Sequence, residues 1–129
     1  MKRLSLALLP LIAACASGPT PEQLATADYG SEMLPAECTA VAEKVVSDSL
    51  KDPSSAQFRS SPCFKGYWRS IPVLGMDIAY GWIQQGEING KNAYGGYVGF
   101  RPYKALIKNG KVTRFCISDK DGICMPVGQ

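Results

Sequence analysis

The chain has no histidine among its 129 residues. That absence excludes a Ser-His-Asp or Cys-His hydrolase, a His-ligated zinc centre and an imidazole pH switch. There is no Cys-x-x-Cys, and the cysteine spacings do not match a zinc ribbon. Neither a metal nor a cofactor is therefore expected. Charge is sparse: 14 Lys and Arg face 11 Asp and Glu, a formal +3, too weak to point to nucleic acid. Paired carboxylates for acid–base work are also missing. Asp77 and Glu87 fall on one predicted strand, about 33 Å apart, and Asp119 and Asp121 sit in a predicted turn. No helical pattern follows Gly95-Gly96, so a phosphate cradle at a helix N-terminus does not fit. The apolar run from Leu4 to Ala14 is eleven residues. As a helix it reaches about 16 Å, half of a bilayer core of about 30 Å.

What is present begins with an address. Lys2 and Arg3 precede that apolar run, the pattern of a secretory leader. Its end, Ile12-Ala13-Ala14-Cys15, resembles the lipobox of bacterial lipoproteins. The resemblance implies cleavage before Cys15, diacylation of its sulfur, and a lipid anchor as the membrane partner. Two or three acyl chains hold a protein stably where one does not. Ala16 stands where an Asp would imply inner-membrane retention, so the outer membrane, periplasmic side, is the expected location. Without residues 1–14 the net charge falls to +1, and Cys38, Cys63, Cys116 and Cys124 remain for two disulfides.

Three regions are expected: a leader over 1–14, the lipidated Cys and a flexible tether over 15–35, and a small disulfide-stapled domain over 36–129. The tether carries Gly18, Pro19, Pro21, Gly30 and Pro35, with a short helical turn near Glu22. As free chain it would reach about 25 Å. Apolar and small residues at Cys38, Val41, Ala42, Val45, Val46, Ser49 and Leu50 predict a helix over 35–51, stopped by Pro53. Beyond it the period becomes two. Strands are predicted at 56–59, 63–70, 77–89, 94–100, 103–108 and 111–117, with Asn-Gly hairpins at Asn89-Gly90 and Asn109-Gly110. The fold class is α+β: one N-terminal helix packed on a four- to five-stranded antiparallel meander sheet. The loop centred on Lys120 favours Cys116–Cys124, leaving Cys38–Cys63 to pin the helix to the first strands.

Two segments stand out: Asp52-Pro53-Ser54-Ser55-Ala56-Gln57-Phe58, and Asn89-Gly90-Lys91-Asn92-Ala93-Tyr94-Gly95-Gly96-Tyr97-Val98-Gly99-Phe100. Together they resemble a module of small bacterial and phage-related proteins, with the pattern D-P-x-S-A-x-F followed by C-G-x-V-N-x-K-N-x-[FY]-G-G-Y-x-G-[FY]. Gln85 stands where that pattern has Cys, and Ile88 where it has Val. The resemblance carries no catalytic residue.

Tyr94, Tyr97 and Tyr103 with Arg101 suggest an aromatic platform for a peptide, glycan or protein. The competing account puts Val98 and Phe100 in the core and uses the glycines for tight packing. The binding account predicts that the glycines face solvent; the packing account predicts that they face protein. A second candidate surface is the basic hairpin around Lys108 and Lys111, suited to anionic headgroups or the acidic peptides of peptidoglycan. The functional expectation is a non-enzymatic binding or envelope-assembly role, with an envelope protein or peptidoglycan as partner. The alternative is an inhibitor or exclusion factor against an envelope enzyme, phage or plasmid. An envelope hydrolase ranks last.

Overall fold

The computed structural model describes residues 18–70, 77–119 and 124–126. The leader and Cys15 lie outside the described residues, as does the Asp121-Gly122 turn. Within them the chain is α+β, a helix lying on one antiparallel sheet.

Helix α2 spans Pro35–Asp48. Pro35 suits the first helical position, where its missing N–H is not needed. Glu37 accepts a hydrogen bond from the Leu34 N–H at 3.4 Å. The helix ends earlier than its apolar stripe predicts. Ser49 is the reason: its hydroxyl donates to the Val46 carbonyl at 2.6 Å, drawing that acceptor away from the helical ladder. Cys38, Ala42 and Val46 form the buried stripe.

The strands are β1 (Gln57–Ser60), β2 (Phe64–Ser70), β3 (Asp77–Asn89), β4 (Arg101–Lys108), β5 (Lys111–Ser118) and β6 (Cys124–Pro126). Both β1 and β2 pair with β3, end to end. Ser60 faces Gly86 and Phe64 faces Ile83. Four steps on one strand thus match three on the other, so one extra residue bulges out between β1 and β2. With β1 and β2 counted as one bent strand, the rest is a plain meander, β3 to β4 to β5 to β6. Asn109 and Gly110 close β4–β5 with φ of 52° and 75°, the left-handed pair a two-residue hairpin needs.

The helix face of the sheet carries two packed groups. Cys38 and Ala42 meet Cys63, Trp82, Ala105 and Ile107. Val46 meets Ile88, Tyr103 and Ile117. Both expected disulfides are present. Cys38–Cys63 ties the helix to the bulge, and Cys116–Cys124 ties β5 to β6. Gln84 is wholly buried in this core. Its amide donates to the Ser61 and Gln85 carbonyls at 2.6 and 2.8 Å, and its oxygen accepts from Thr39 at 2.7 Å. A buried amide satisfied on both ends fixes register.

Two expectations need correction. The first is the tether, because residues 18–34 lie along the sheet. Helix α1 (Pro21–Thr26) is capped by Thr20, with Pro21 at its first position. The Tyr29 ring meets Tyr80 edge-on at 5.9 Å. Ser31 accepts from the Trp82 indole at 3.2 Å and donates its N–H to Asn109 at 2.9 Å. Asp28 pairs with Lys108 at 3.4 Å, and Glu32 with Lys65. The Gly30 N–H first, and Lys108 second, hold the Asp28 carboxyl below its ordinary pKa. Proline-rich composition signalled free chain, but one tyrosine and a run of polar contacts are enough to bind it down.

The second correction concerns Tyr94 to Phe100. It is not the strand that returns from β3; β4 is. Asn89-Gly90 therefore makes no tight hairpin. The connection is an eleven-residue loop, 90–100, with a single bridge between Lys91 and Tyr97.

Candidate functional site

The 90–100 loop is built around Asn92. Its side-chain oxygen accepts from the N–H groups of Tyr94 and Gly96 at 2.9 and 3.1 Å. The Asn92 N–H donates to the Gly96 carbonyl at 2.8 Å. This Asx arrangement is a local substitute for a backbone turn. Gly95 and Gly99 have φ of 79° and 98°, where a β-carbon is strained. At the base, Asn89 accepts from the Gly99 N–H at 3.0 Å.

The loop is pinned to the turn that follows α2. Residues Pro53–Ser55 form a single 3₁₀ turn. The Ser55 hydroxyl donates to the Asp52 carbonyl at 2.7 Å and accepts from the Lys91 N–H at 2.9 Å. The Tyr97 hydroxyl donates to the Ser55 carbonyl at 3.1 Å. The two segments singled out in the sequence, D-P-S-S-A and N-G-K-N-A-Y-G-G-Y, thus form one unit. Their shared purpose at this level is to hold the loop rigid.

Between that unit, the end of α2 and the end of β5 lies a groove of about 780 Å³. Its apolar lining is Leu50, Val98, Phe100, Pro102 and Ile117. Its charged lining is Lys51, Lys91 and Arg101 against the single carboxylate of Asp119. The Arg101 Nε is buried without a hydrogen-bond partner, alone among buried side-chain nitrogens and oxygens of the described residues. A buried donor left unpaired costs about 1–3 kcal/mol, more for a charged group. The Phe100 ring beside it is held from outside by the Arg59 guanidinium, 3.7 Å from the ring centroid.

The structure sorts the candidate residues. Tyr94 is 98% exposed at the loop tip, and Tyr97 is 46% exposed. Val98 is 53% exposed and Phe100 is only half-buried, so neither joins the core. Nothing lies within 4 Å of where side chains would stand on Gly95 and Gly99. The glycines face solvent, as the binding account predicted. Arg101 lines the groove beside this loop.

Tyr103 does not belong to an exposed platform. It is 3% exposed and meets Phe58 edge-on at 5.5 Å. Its hydroxyl and that of Ser60 lie 2.6 Å apart, and Ser60 donates to Glu43 at 2.7 Å. Burial pushes the Tyr103 pKa up, partly offset by the Ser60 hydrogen bond. Tyr103 is two residues from Arg101 along β4, but it points into the helix side of the sheet. Lys108 and Lys111 flank the other end of that strand, so they share no surface with the loop.

Lys51, Lys91 and Asp119 were not singled out in the sequence. Lys51 and Lys91 adjoin or occupy the two motif segments, so the motif was the available signal. Among the described residues no three Cys, Asp or Glu gather as a metal site, and no helix is long and apolar enough to cross a membrane. No family model matches the chain, nor does any curated protein or solved structure.

Proposed function

We propose that the chain is an exported, lipid-anchored protein of the bacterial envelope that works by binding, and that the groove under the 90–100 loop takes an acidic ligand with an apolar body. The lipobox at 12–15 and two disulfides in the domain support export to an oxidising compartment. Outer-membrane attachment on the periplasmic side follows from Ala16 and belongs to the same reading.

The observation that carries the binding role is the charge of the groove: Lys51, Lys91 and Arg101 line it against the single carboxylate of Asp119. A ligand carboxylate would accept charge-assisted hydrogen bonds from those cations, and such bonds are the strong kind. The apolar floor would take an aliphatic side chain. A groove of this size matches a short peptide rather than a folded protein surface. Among the described residues of its lining the one hydroxyl, Ser49, donates to the Val46 carbonyl, an arrangement that suits binding.

A displayed library of random octapeptides, selected on the full chain in detergent, tests the ligand. Enriched peptides should carry two or more carboxylates and an aliphatic residue. Arg101→Gln should lose them, while Lys111→Gln at the other end of the sheet should keep them. An enriched pool without acidic bias would refute the reading. The anchor is tested separately: labelled palmitate should mark the wild type and not Cys15→Ser.

A further inference from the structure

The anchor and the fold together set an orientation. Cys15 lies three residues before Gly18, so the two are at most about 11 Å apart. A side chain on Gly18 would stand 3.1 Å from the Tyr67 hydroxyl, so the backbone there runs against β2. From that point the segment is held down repeatedly. Tyr29 donates to the Leu24 carbonyl at 2.5 Å and packs on Tyr80, and Ser31 bonds both Trp82 and Asn109. No slack of 20 residues exists to lift the domain away.

We infer that the end of the sheet formed by the last residues of β2, the start of β3 and the Asn109-Gly110 turn rests against an anionic bilayer surface, with the 90–100 groove directed away from it. The inference rests on Cys15 being acylated. Three observations at this end agree with a lipid surface as its occupant. Tyr29, Tyr67, Trp68 and Tyr80 are all half-buried here, and such aromatics favour the headgroup level. The acids of this end are already matched: Asp28 by Lys108, Glu32 by Lys65, and Asp77 by Arg114 at 2.6 Å. Lys111, exposed beside the turn, makes no ion pair among the described residues. The surplus is positive, as an anionic leaflet requires.

The far end is well separated. Tyr80 and Asn89 are nine residues apart on β3, about 30 Å along the strand. The groove therefore opens into the aqueous space rather than onto the lipid.

The test uses the acylated full chain in phosphatidylethanolamine–phosphatidylglycerol vesicles that carry a dansyl headgroup label. Energy transfer from tryptophan to dansyl reports distance from the membrane. Trp68→Phe should lose a large share of the transfer. Tyr94→Trp, placed on a side chain 98% exposed and therefore harmless to folding, should add emission but no transfer. Lys111→Glu should reduce transfer in the wild-type background. If the chain floats with the vesicles and the tryptophan at 94 transfers as strongly as Trp68, the orientation is overturned. If the chain does not float at all, the anchor reading fails and takes the orientation with it.

Discussion

Ser55→Ala removes one hydroxyl and should loosen the whole 90–100 loop. Ser55 is 8% exposed, and its oxygen serves two hydrogen bonds, 2.7 Å to the Asp52 carbonyl and 2.9 Å from the Lys91 N–H. Each ordinary hydrogen bond contributes about 0.5–1.5 kcal/mol net. The Lys91 N–H loses its acceptor, but Lys91 is only partly buried, so water recovers some of the loss. The expected cost is about 1–2 kcal/mol. For a domain near 100 residues that lowers Tm by roughly 4–12 °C. Ser54→Ala is the matched control. Its hydroxyl also bonds Asp52, at 2.6 Å to the carboxylate, but it is exposed and touches no part of the loop. It should change stability by less than about 0.5 kcal/mol. Urea unfolding measures both, and amide exchange at Lys91, Gly95 and Gly96 locates the effect. Equal stability of the two variants, or unchanged exchange in the loop, would refute the claim that Ser55 couples the two segments.

Two further outcomes follow from the core. Cys38 and Cys63 close 25 residues, and loop-closure entropy assigns their bond about 3.5 kcal/mol, against about 2.5 for Cys116–Cys124 with its separation of 8. Replacing Cys38 and Cys63 together by Ala should therefore lower the urea midpoint more than replacing the second pair; the reverse order would contradict the packing of Cys38 in the core. Tyr103 ionises later in the fold than in the unfolded chain, because burial disfavours the phenolate. Its contribution is complete below pH about 10 and falls as pH rises past that value through its raised folded pKa. Wild type should lose stability over that window more steeply than Tyr103→Phe, by urea titration at stepped pH; parallel curves would count against it.

Much of the fold was legible because one face of each element is buried and the other is wet. The spacing of Cys38, Ala42 and Val46 gave the helix, and the alternation from Asp77 to Asn89 gave β3 to the residue. Asn109-Gly110 makes the hairpin its dipeptide predicts, because both residues take positive φ and the Ser31 hydrogen bonds use only the Asn109 side chain. Asn89-Gly90 carries the same dipeptide and does something different. There, Asn89 spends its side chain on the Gly99 N–H, and Gly90 packs so closely on Leu50 that a β-carbon would lie 2.8 Å from its methyl. A dipeptide signal states what the backbone can do locally; the contact with α2 decides whether it does. The segment 18–34 failed for a related reason. Its composition is that of a linker, and no periodicity announces that Tyr29 has Tyr80 to meet.

The site was half legible, and the missing half has a physical cause. Exposed aromatics are conspicuous in a sequence, so Tyr94 and Tyr97 stand out with Arg101 near them; Lys51 and Lys91 do not, because the cations that line the groove come from separate elements. Strand alternation puts Arg101 and Tyr103, two residues apart, on one face. The structure sets them apart by what covers them: α2 ends at Asp48, over Tyr103 and short of Arg101. Arg101 therefore lines the groove with Leu50 and Ile117, while Tyr103 packs against Val46. That difference in cover separates the molecule's two roles along a single strand. Tyr103 locks the sheet to α2 through Ser60 and Glu43, and Arg101 lines the groove. Substituting Tyr103 should therefore move stability and leave ligand selection to Arg101.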